Sequence, residues 1–189
     1  PRVLDTHALI TVSTLLPPPE KIGELEKHLE QLYLGNCVGN IKICCLADHH
    51  GAPRPSMPED KAALNAAVKA FDRLNSKYGG GFILAVRRRT YSKTQNEFTG
   101  KERKRGAITD LVAAIKGDGK AFACLHGDRT SLHKVKYLIA LDSDTRLAFD
   151  GARVLISAAE HPANRPVIDG GRVVRGYGII APAAENRLD

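Results

Sequence analysis

The sequence predicts a single α/β domain in which helices flank a mostly parallel sheet. The first observation is that apolar, β-branched segments of strand length alternate with segments of helical periodicity, which is typical of βαβ units. The second is the length of 189 residues, which suits one domain with a sizeable core. The third is an ordinary composition, 43% hydrophobic and 26% charged, with no apolar run near the roughly 18 residues that predict a membrane span.

The first half of the chain is expected to contain two strands and two helices. The β-branched run over residues 7–13 predicts a buried strand, which the prolines after it bring to an end. Apolar residues at helical spacing, followed by Gly and Asn, predict an amphipathic helix over residues 18–36. The run IKICCLAD, residues 41–48, predicts a second strand that ends on Asp48. A second helix over residues 58–78 has proline and acidic residues at its start and glycine after its end.

The second half continues the alternation of strands and helices. Each strand is predicted from an apolar run, and each helix from an apolar stripe bounded by charged residues or glycine. We expect two polar, glycine-containing stretches to be mobile loops. The predicted elements are strand 82–88, helix 101–119, strand 136–142, helix 149–161 and a fifth strand 171–182, with loops over 90–101 and 116–134.

In an open parallel sheet, ligands bind beyond the carboxyl ends of the strands. This rule selects Thr14 after the first strand, Asp48 after the second, and Asp142 with Asp144 after the fourth. Arginines 87–89 follow the third strand. No G-x-G-x-x-G follows the first strand and no Walker A motif occurs, so neither a dinucleotide cradle nor a P-loop is predicted.

Asp142 and Asp144 lie one residue apart in the segment YLIALDSDTRLAFDGA. Two carboxylates held this close repel each other unless a cation lies between them, so the motif favours a site for Mg²⁺ or Mn²⁺. Such ions commonly bridge substrate phosphates. A solvated turn is the alternative interpretation of the motif and stays open.

The net charge of +7 is concentrated in two clusters, over residues 86–93 and 100–106. Such clusters suit an anionic partner, which includes nucleic acid, phosphate, a nucleotide and an acidic membrane surface, and a solvated charged face is the alternative. The five Tyr, five Phe and absent Trp give no pattern of interleaved aromatic and basic residues, which disfavours a dedicated RNA-binding module. The four cysteines form no C-x-x-C pair, which disfavours a structural zinc site.

Seven segments resemble, in order and spacing, the glycosyltransferase segment of cyclic β-1,2-glucan synthases, glycosyltransferase family 84. They are LITVSTLL, LADHHGAP, MPED, ERKRG, YLIALDSDTRL, HPANRP and GRVVRGYGIIAP, and they are spread over residues 9–182, so the resemblance extends over nearly the whole chain. The resemblance implies a GT-A-like, Rossmann-like nucleotide-sugar-binding domain over residues 1–189. It also implies use of UDP-glucose to extend a β-1,2-linked glucan acceptor. Enzymes of this family are large inner-membrane proteins with transmembrane helices and a C-terminal phosphorylase-like domain.

The same resemblance implies roles for acidic residues at the strand ends. Asp142 and Asp144 match the D-x-D motif that binds ribose and the metal–diphosphate group, with Asp144 the stronger metal candidate. Asp48 matches the acid that meets the uridine, and Thr14 lies at the first-strand edge of that pocket. The implied cofactor is Mg²⁺ or Mn²⁺.

Lys104 and Arg105 match the basic residues before the third helix, where charge-assisted bonds to uracil or diphosphate are expected. A solvated helix start is the alternative for both. Two features depart from the family: the loop before ERKRG lacks tryptophan, and Ala181 stands where glutamine is usual. The resemblance therefore supports acceptor binding less well than nucleotide binding.

The first residue is Pro1, and no signal-peptide pattern follows it, so we expect an excised fragment of a larger multidomain protein. The family places that protein at the cytoplasmic face of the bacterial inner membrane, and we expect the fragment itself to be soluble. The carboxylates after the D-x-D motif lie in no recognisable catalytic context, so we expect the general base to lie outside the fragment. These carboxylates are Asp150, Glu160, Asp169, Glu185 and Asp189.

The leading interpretation is the UDP-glucose-binding part of an inverting, metal-dependent glucosyltransferase, with no nucleic acid partner. A sugar nucleotidyltransferase is an alternative, but it needs a glycine-rich loop after the first strand, and STLLPPP does not supply one. A non-catalytic basic domain that binds nucleic acid or an anionic membrane is the alternative from another class. Binding that falls steeply with salt and ignores UDP would favour that last interpretation.

Overall fold

The computed structural model describes residues 5–182, in which strands and α-helices alternate. The strands are β1 (Ala8–Leu15), β2 (Ile41–Asp48), β3 (Phe82–Arg87), β4 (Thr90–Ser92), β5 (Glu97–Thr99), β6 (Phe122–Gly127), β7 (Tyr137–Asp142), β8 (Val167–Asp169) and β9 (Arg172–Arg175). The helices are α1 (Ile22–Asn36), α2 (Pro58–Tyr78), α3 (Arg103–Ile115) and α4 (Gly151–Glu160).

Five strands form the central sheet in the order β6-β3-β2-β1-β7. Strands β3, β2, β1 and β7 are parallel, and β6 pairs antiparallel with β3 at the edge. The chain moves from β1 through β2 to β3 on one side and later returns to place β7 on the other side. This is a Rossmann-like arrangement, and its ligand crevice is expected at the carboxyl end of β1, where the strand order reverses. The predicted α/β class with a mostly parallel sheet is confirmed.

Helices cover both faces of the sheet. Helices α1, α2 and α4 pack on one face, where Leu29, Phe71 and Ile156 join the larger core cluster. Helix α3 packs on the other face through Leu111. Because both faces are covered, the central strands are nearly continuous apolar runs, and every residue of β3 is buried. Each fully buried large apolar side chain contributes about 1.5–3 kcal/mol.

The structure corrects three predictions about the second half of the chain. The predicted fifth strand over residues 171–182 is wrong, because β9 is short and pairs with β8 in a separate hairpin. The fifth strand of the sheet is β6, which lies within the predicted loop 116–134. The other predicted loop, 90–101, contains the hairpin of β4 and β5. Strands β4 and β5 have three residues each and bury none of them, and β6 buries only Phe122, so these strands lack the long apolar runs that reveal the central strands.

The other elements lie close to their predicted positions. A 3-10 turn over Pro19–Lys21 replaces the first residues of the predicted first helix. Helix α2 ends at Tyr78, and Gly79 after it has a left-handed φ of 72°, as the predicted glycine stop requires. Within residues 5–182, no helix combines the length and the apolarity that a membrane crossing requires.

Candidate functional site

The candidate site lies at the carboxyl edge of the sheet, on the face that α3 covers. Asp48 ends β2 and Asp142 ends β7, and β1 runs between these strands with Ser13 beside Asp142. Leu46, two residues before Asp48, and Leu138, four residues before Asp142, both pack under α3. Since side chains alternate along a strand, both carboxylates project from this same face. They flank β1 across two strand spacings, on the order of 10 Å.

Strand alternation places Thr14 on the opposite face. Val12, two residues earlier and therefore on the same face as Thr14, belongs to the cluster under α1 and α2. The Thr14 hydroxyl donates to the carbonyl oxygen of Leu15 at 3.0 Å. The hydroxyls of β1 on the site face are those of Thr11 and Ser13. Both Oγ atoms are buried and find no hydrogen-bond partner within residues 5–182. Alternation along the first strand predicts that Ser13 and Thr14 face opposite sides of the sheet, but it does not tell which of them faces the site.

Arg87, at the end of β3, is the buried cation of the site, with its side chain 2% exposed. Its guanidinium donates hydrogen bonds to both carboxylate oxygens of Asp48, from Nε to Oδ1 at 2.7 Å and from Nη2 to Oδ2 at 2.6 Å. Nη1 donates to Oδ2 of Asp110 in α3 at 2.9 Å. The remaining N–H groups donate to the carbonyl oxygens of Lys101 at 3.0 Å and Arg103 at 2.9 Å. All five donors of the guanidinium are therefore used.

This arrangement keeps Arg87 charged although it is buried. Burial lowers the pKa of the Arg87 guanidinium, but hydrogen bonds to Asp48 and Asp110 more than compensate and raise it above its ordinary value. The arginine joins β2, β3 and α3, and it fixes the orientation of the Asp48 carboxylate. In the sequence, Arg87 is one of three adjacent arginines, and nothing local distinguishes it from Arg88.

The loop before α3 is pressed against Asp48. A Cβ atom on Gly100 would lie 2.5 Å from the carboxylate carbon of Asp48, so only glycine fits there. Glu102 and Arg103 have φ values of 54° and 44°, in the left-handed region that costs non-glycine residues roughly 1–3 kcal/mol each. The bonds from Arg87 to this loop help to hold that strained backbone. Strain of this kind is concentrated at functional sites.

Lys104, in the first turn of α3, forms an ion pair with Oδ1 of Asp142. Its side chain is 45% exposed and that of Asp142 is 53% exposed, so the pair is worth only about 0–1 kcal/mol. A bound ligand can therefore open it at small cost. Arg105 instead pairs with Glu102 at 2.9 Å and is 82% exposed. The structure brings Lys104 to the candidate site, whereas Arg105 is held by its own helix start.

Asp144 lies exposed in the turn after β7, which is closed by a hydrogen bond from the Thr145 amide to the Asp142 carbonyl oxygen at 3.0 Å. In the part of the chain that the structure describes, no three His, Cys, Asp or Glu residues form a complete metal site. Asp142 and Asp144 supply the oxygen donors that Mg²⁺ or Mn²⁺ prefers, and Mg²⁺ usually binds one or two carboxylates together with substrate phosphates. These donors fit an ion that a bound diphosphate shares.

A second buried arginine shapes the rim of the site. Arg89 donates from Nε to the carbonyl oxygen of His50 at 2.6 Å and from Nη2 to Oδ1 of Asp60 at 2.9 Å. Asp60 also lies 3.3 Å from Nδ1 of His49. Burial lowers the pKa of His49, although Asp60 opposes this effect. The contacts fix the loop after β2 against the start of α2.

Comparison with family models found no match. Among curated proteins, the chain is 33% identical over 184 residues to the cyclic beta-(1,2)-glucan synthase NdvB of Rhizobium meliloti (strain 1021). The match covers 94% of this chain but only 6% of that protein, so the chain spans a small part of its relative's length. The chain is thus similar, over almost all of its residues, to one segment of a glucan synthase, in agreement with the resemblance of its motifs.

Proposed function

We propose that this chain, similar throughout to a segment of a cyclic β-(1,2)-glucan synthase, is the UDP-glucose-binding part of a metal-dependent inverting glucosyltransferase that makes β-1,2-glucan. One observation carries the proposal. Asp48, Asp142 and the basic start of α3 meet on one face of a Rossmann-like sheet, at the edge where its strand order reverses. A nucleotide diphosphate needs acceptors for its base and ribose and a cation near its phosphates, and this edge presents both.

Each part of the edge has a role in this proposal. Asp48, oriented by Arg87, accepts hydrogen bonds from the uridine, and the unpartnered hydroxyl of Ser13 lies on the same face to join it. Lys104 leaves Asp142 and bonds to the diphosphate. Asp142 and Asp144 would hold Mg²⁺ or Mn²⁺, which supplies positive charge for the departing UDP. The acceptor hydroxyl then attacks C1 of glucose as the bond to UDP breaks, and a general base takes its proton.

The structure weakens the alternative of a basic domain that binds nucleic acid or an anionic membrane. Of the basic cluster over residues 86–93, Arg87 and Arg89 are buried and paired with carboxylates. They are therefore not part of an exposed cationic surface. A sugar nucleotidyltransferase stays less favoured, because the segment after β1 is rich in proline and not in glycine.

Calorimetry of UDP, UDP-glucose, GDP and ATP, with and without Mn²⁺, tests the proposal. We expect tight binding of the uridine nucleotides only with the metal. Asp144→Ala should weaken UDP binding at least about tenfold, or about 1.4 kcal/mol. Asp144→Asn should be nearly as harmful, because it removes the charge and keeps the shape. Asp169→Ala, which removes an exposed carboxylate at the end of β8, is the control and should bind UDP normally. Equal affinity in all four proteins would refute the metal assignment.

Lys104→Gln should strengthen the binding of Mn²⁺ in the absence of nucleotide but weaken the binding of UDP. Without UDP, the substitution frees Asp142 and should strengthen Mn²⁺ binding by about two- to fivefold, the range that an exposed ion pair allows. With UDP, it removes a charge-assisted bond to the diphosphate and should weaken nucleotide binding. Electron paramagnetic resonance of free Mn²⁺ measures the first effect and calorimetry the second.

Lys101→Gln is the matched control for Lys104→Gln. It removes the same charge three residues earlier, just before α3, while the contact of Lys101 with Arg87 uses only its backbone carbonyl. We expect it to leave Mn²⁺ binding without UDP unchanged. The same gain in Mn²⁺ affinity in both variants would show that general charge, and not the pair with Asp142, controls the ion.

A further inference from the structure

The segment after the candidate site exposes an unusual amount of apolar side chain. Phe149 is 85% exposed, Ile168 is 66% exposed and Ile179 is 88% exposed. A contiguous apolar patch on a protein surface commonly marks an interaction site. We call the exposed apolar residues of the hairpin and of the segment just after it the hairpin surface. They are Val167, Ile168, Val173, Val174, Tyr177, Ile179 and Ile180.

The hairpin of β8 and β9 forms the centre of this surface. Every residue of both strands is exposed. Ile168 pairs with Val173, so these two apolar side chains share a face of the hairpin. A two-stranded hairpin in water is marginally stable at best, and it needs a third strand or a packed layer to persist. The hairpin therefore lacks a covering layer within residues 5–182.

The base of the hairpin is nevertheless tied to the domain. The Tyr177 amide donates to the carbonyl oxygen of Asn164 at 2.9 Å, and Nη2 of Arg165 donates to Oε2 of Glu160 at 2.7 Å. Glu160 is buried at the end of α4. A Cβ atom on Gly176 would lie 2.1 Å from the Arg165 carbonyl oxygen, so the backbones approach closely there. The two strands thus project from a defined position.

We propose that the hairpin surface docks against a further segment of the same polypeptide, which supplies the missing layer. The inference rests on the proposed function, because that segment belongs to the longer glucosyltransferase. Its support is the length of the relative: the match covers 6% of that protein, so most of the relative lies beyond the region shared with this chain. A covalently linked segment has a high effective concentration, so a modest surface is enough to hold it.

The chemistry of the hairpin surface defines the segment that fits it. The Ile168 and Val173 side chains call for an apolar strand or helix face. Arg175, two residues after Val173, lies on the same face of β9, so the segment should carry a carboxylate beside its apolar residues. A second copy of the chain or an anionic bilayer would compete for the same surface.

Hydrogen exchange tests the inference, on the 189-residue chain and on the polypeptide extended to its natural end. Amides of residues 167–175 should exchange at least about tenfold more slowly in the extended protein. Ile168→Glu combined with Val173→Glu should abolish that protection. Leu34→Glu, at a 62% exposed apolar position on α1, is the matched control and should keep it. In the 189-residue chain, neither the double variant nor the Leu34→Glu control should shift the melting temperature, because all three side chains face solvent.

Several results would overturn the inference. They are equal exchange in the short and extended proteins, protection in the short chain that grows with its concentration, protection by anionic vesicles alone, and a gene that ends at residue 189. Calorimetry of UDP on the same samples separates this inference from the proposed function. Slower exchange of the hairpin amides without UDP binding would refute the nucleotide site but support the docking surface. UDP binding without slower exchange would refute the docking surface but support the nucleotide site.

Discussion

Arg87→Met is expected to lower the free energy of unfolding by about 3–5 kcal/mol, the usual cost of removing one partner from a buried ion pair. The change leaves the carboxylates of Asp48 and Asp110 without their cation. It also leaves the carbonyl oxygens of Lys101 and Arg103 without a donor. Since domains of this kind are stable by about 5–15 kcal/mol in total, the variant should lose a large share of its stability.

Urea denaturation followed by circular dichroism measures this loss. Arg88→Met is the matched control, because Arg88 is exposed and its Nε makes one long bond, of 3.4 Å, to the Lys120 carbonyl oxygen. It should change stability by no more than about 0.5 kcal/mol. Arg87→Lys should not rescue the fold, since an ammonium group cannot reproduce the fork to Asp48. Equal midpoints for Arg87→Met and Arg88→Met would contradict the central role of Arg87.

The 189-residue chain is expected to bind UDP without elongating glucan. An inverting transferase needs a general base, and the described carboxylates after the D-x-D motif are bonded to arginines or belong to the hairpin of β8 and β9. Asp150 bonds to Arg153 at the start of α4, and Glu160 is buried against Arg165. Asp169 ends β8, where it lies opposite Arg172. Loss of general-base catalysis costs about 10²–10⁴ in rate, and loss of acceptor positioning costs more.

Incubation with labelled UDP-glucose, Mn²⁺ and a β-1,2-glucan acceptor tests this expectation, with UDP binding measured on the same sample to show that the site is intact. Glu185 and Asp189, the other downstream carboxylates, lie outside the described residues. If elongation is seen, each of the five downstream carboxylates is replaced in turn by Asn or Gln. Elongation at the rate of an ordinary enzyme would place the base within this chain, and the variant that abolishes it would identify the residue.

The central strands and the long helices were predictable from sequence because their signals are local. The apolar runs of β1, β2, β3 and β7, and the proline start and glycine stop of α2, are decided by residues within a few positions of each other. The position of Asp48 and Asp142 at one edge follows from the same pattern, since both end strands of a parallel sheet. The order and spacing of seven motifs added the resemblance to a glucan synthase segment.

Tertiary structure decided what depends on distant partners. Arg87 and Arg88 are adjacent residues of the same type. Only Arg87 is buried with all its donors bonded, because folding brings it against Asp48, which is 39 residues away in sequence. The edge strand β6 becomes a strand because β3 offers it backbone partners. Ser13 faces the site and Thr14 does not because packing sets which side of β1 meets α3. Periodicity and capping act within one turn or one strand, whereas burial and pairing across loops arise only when the whole chain has closed.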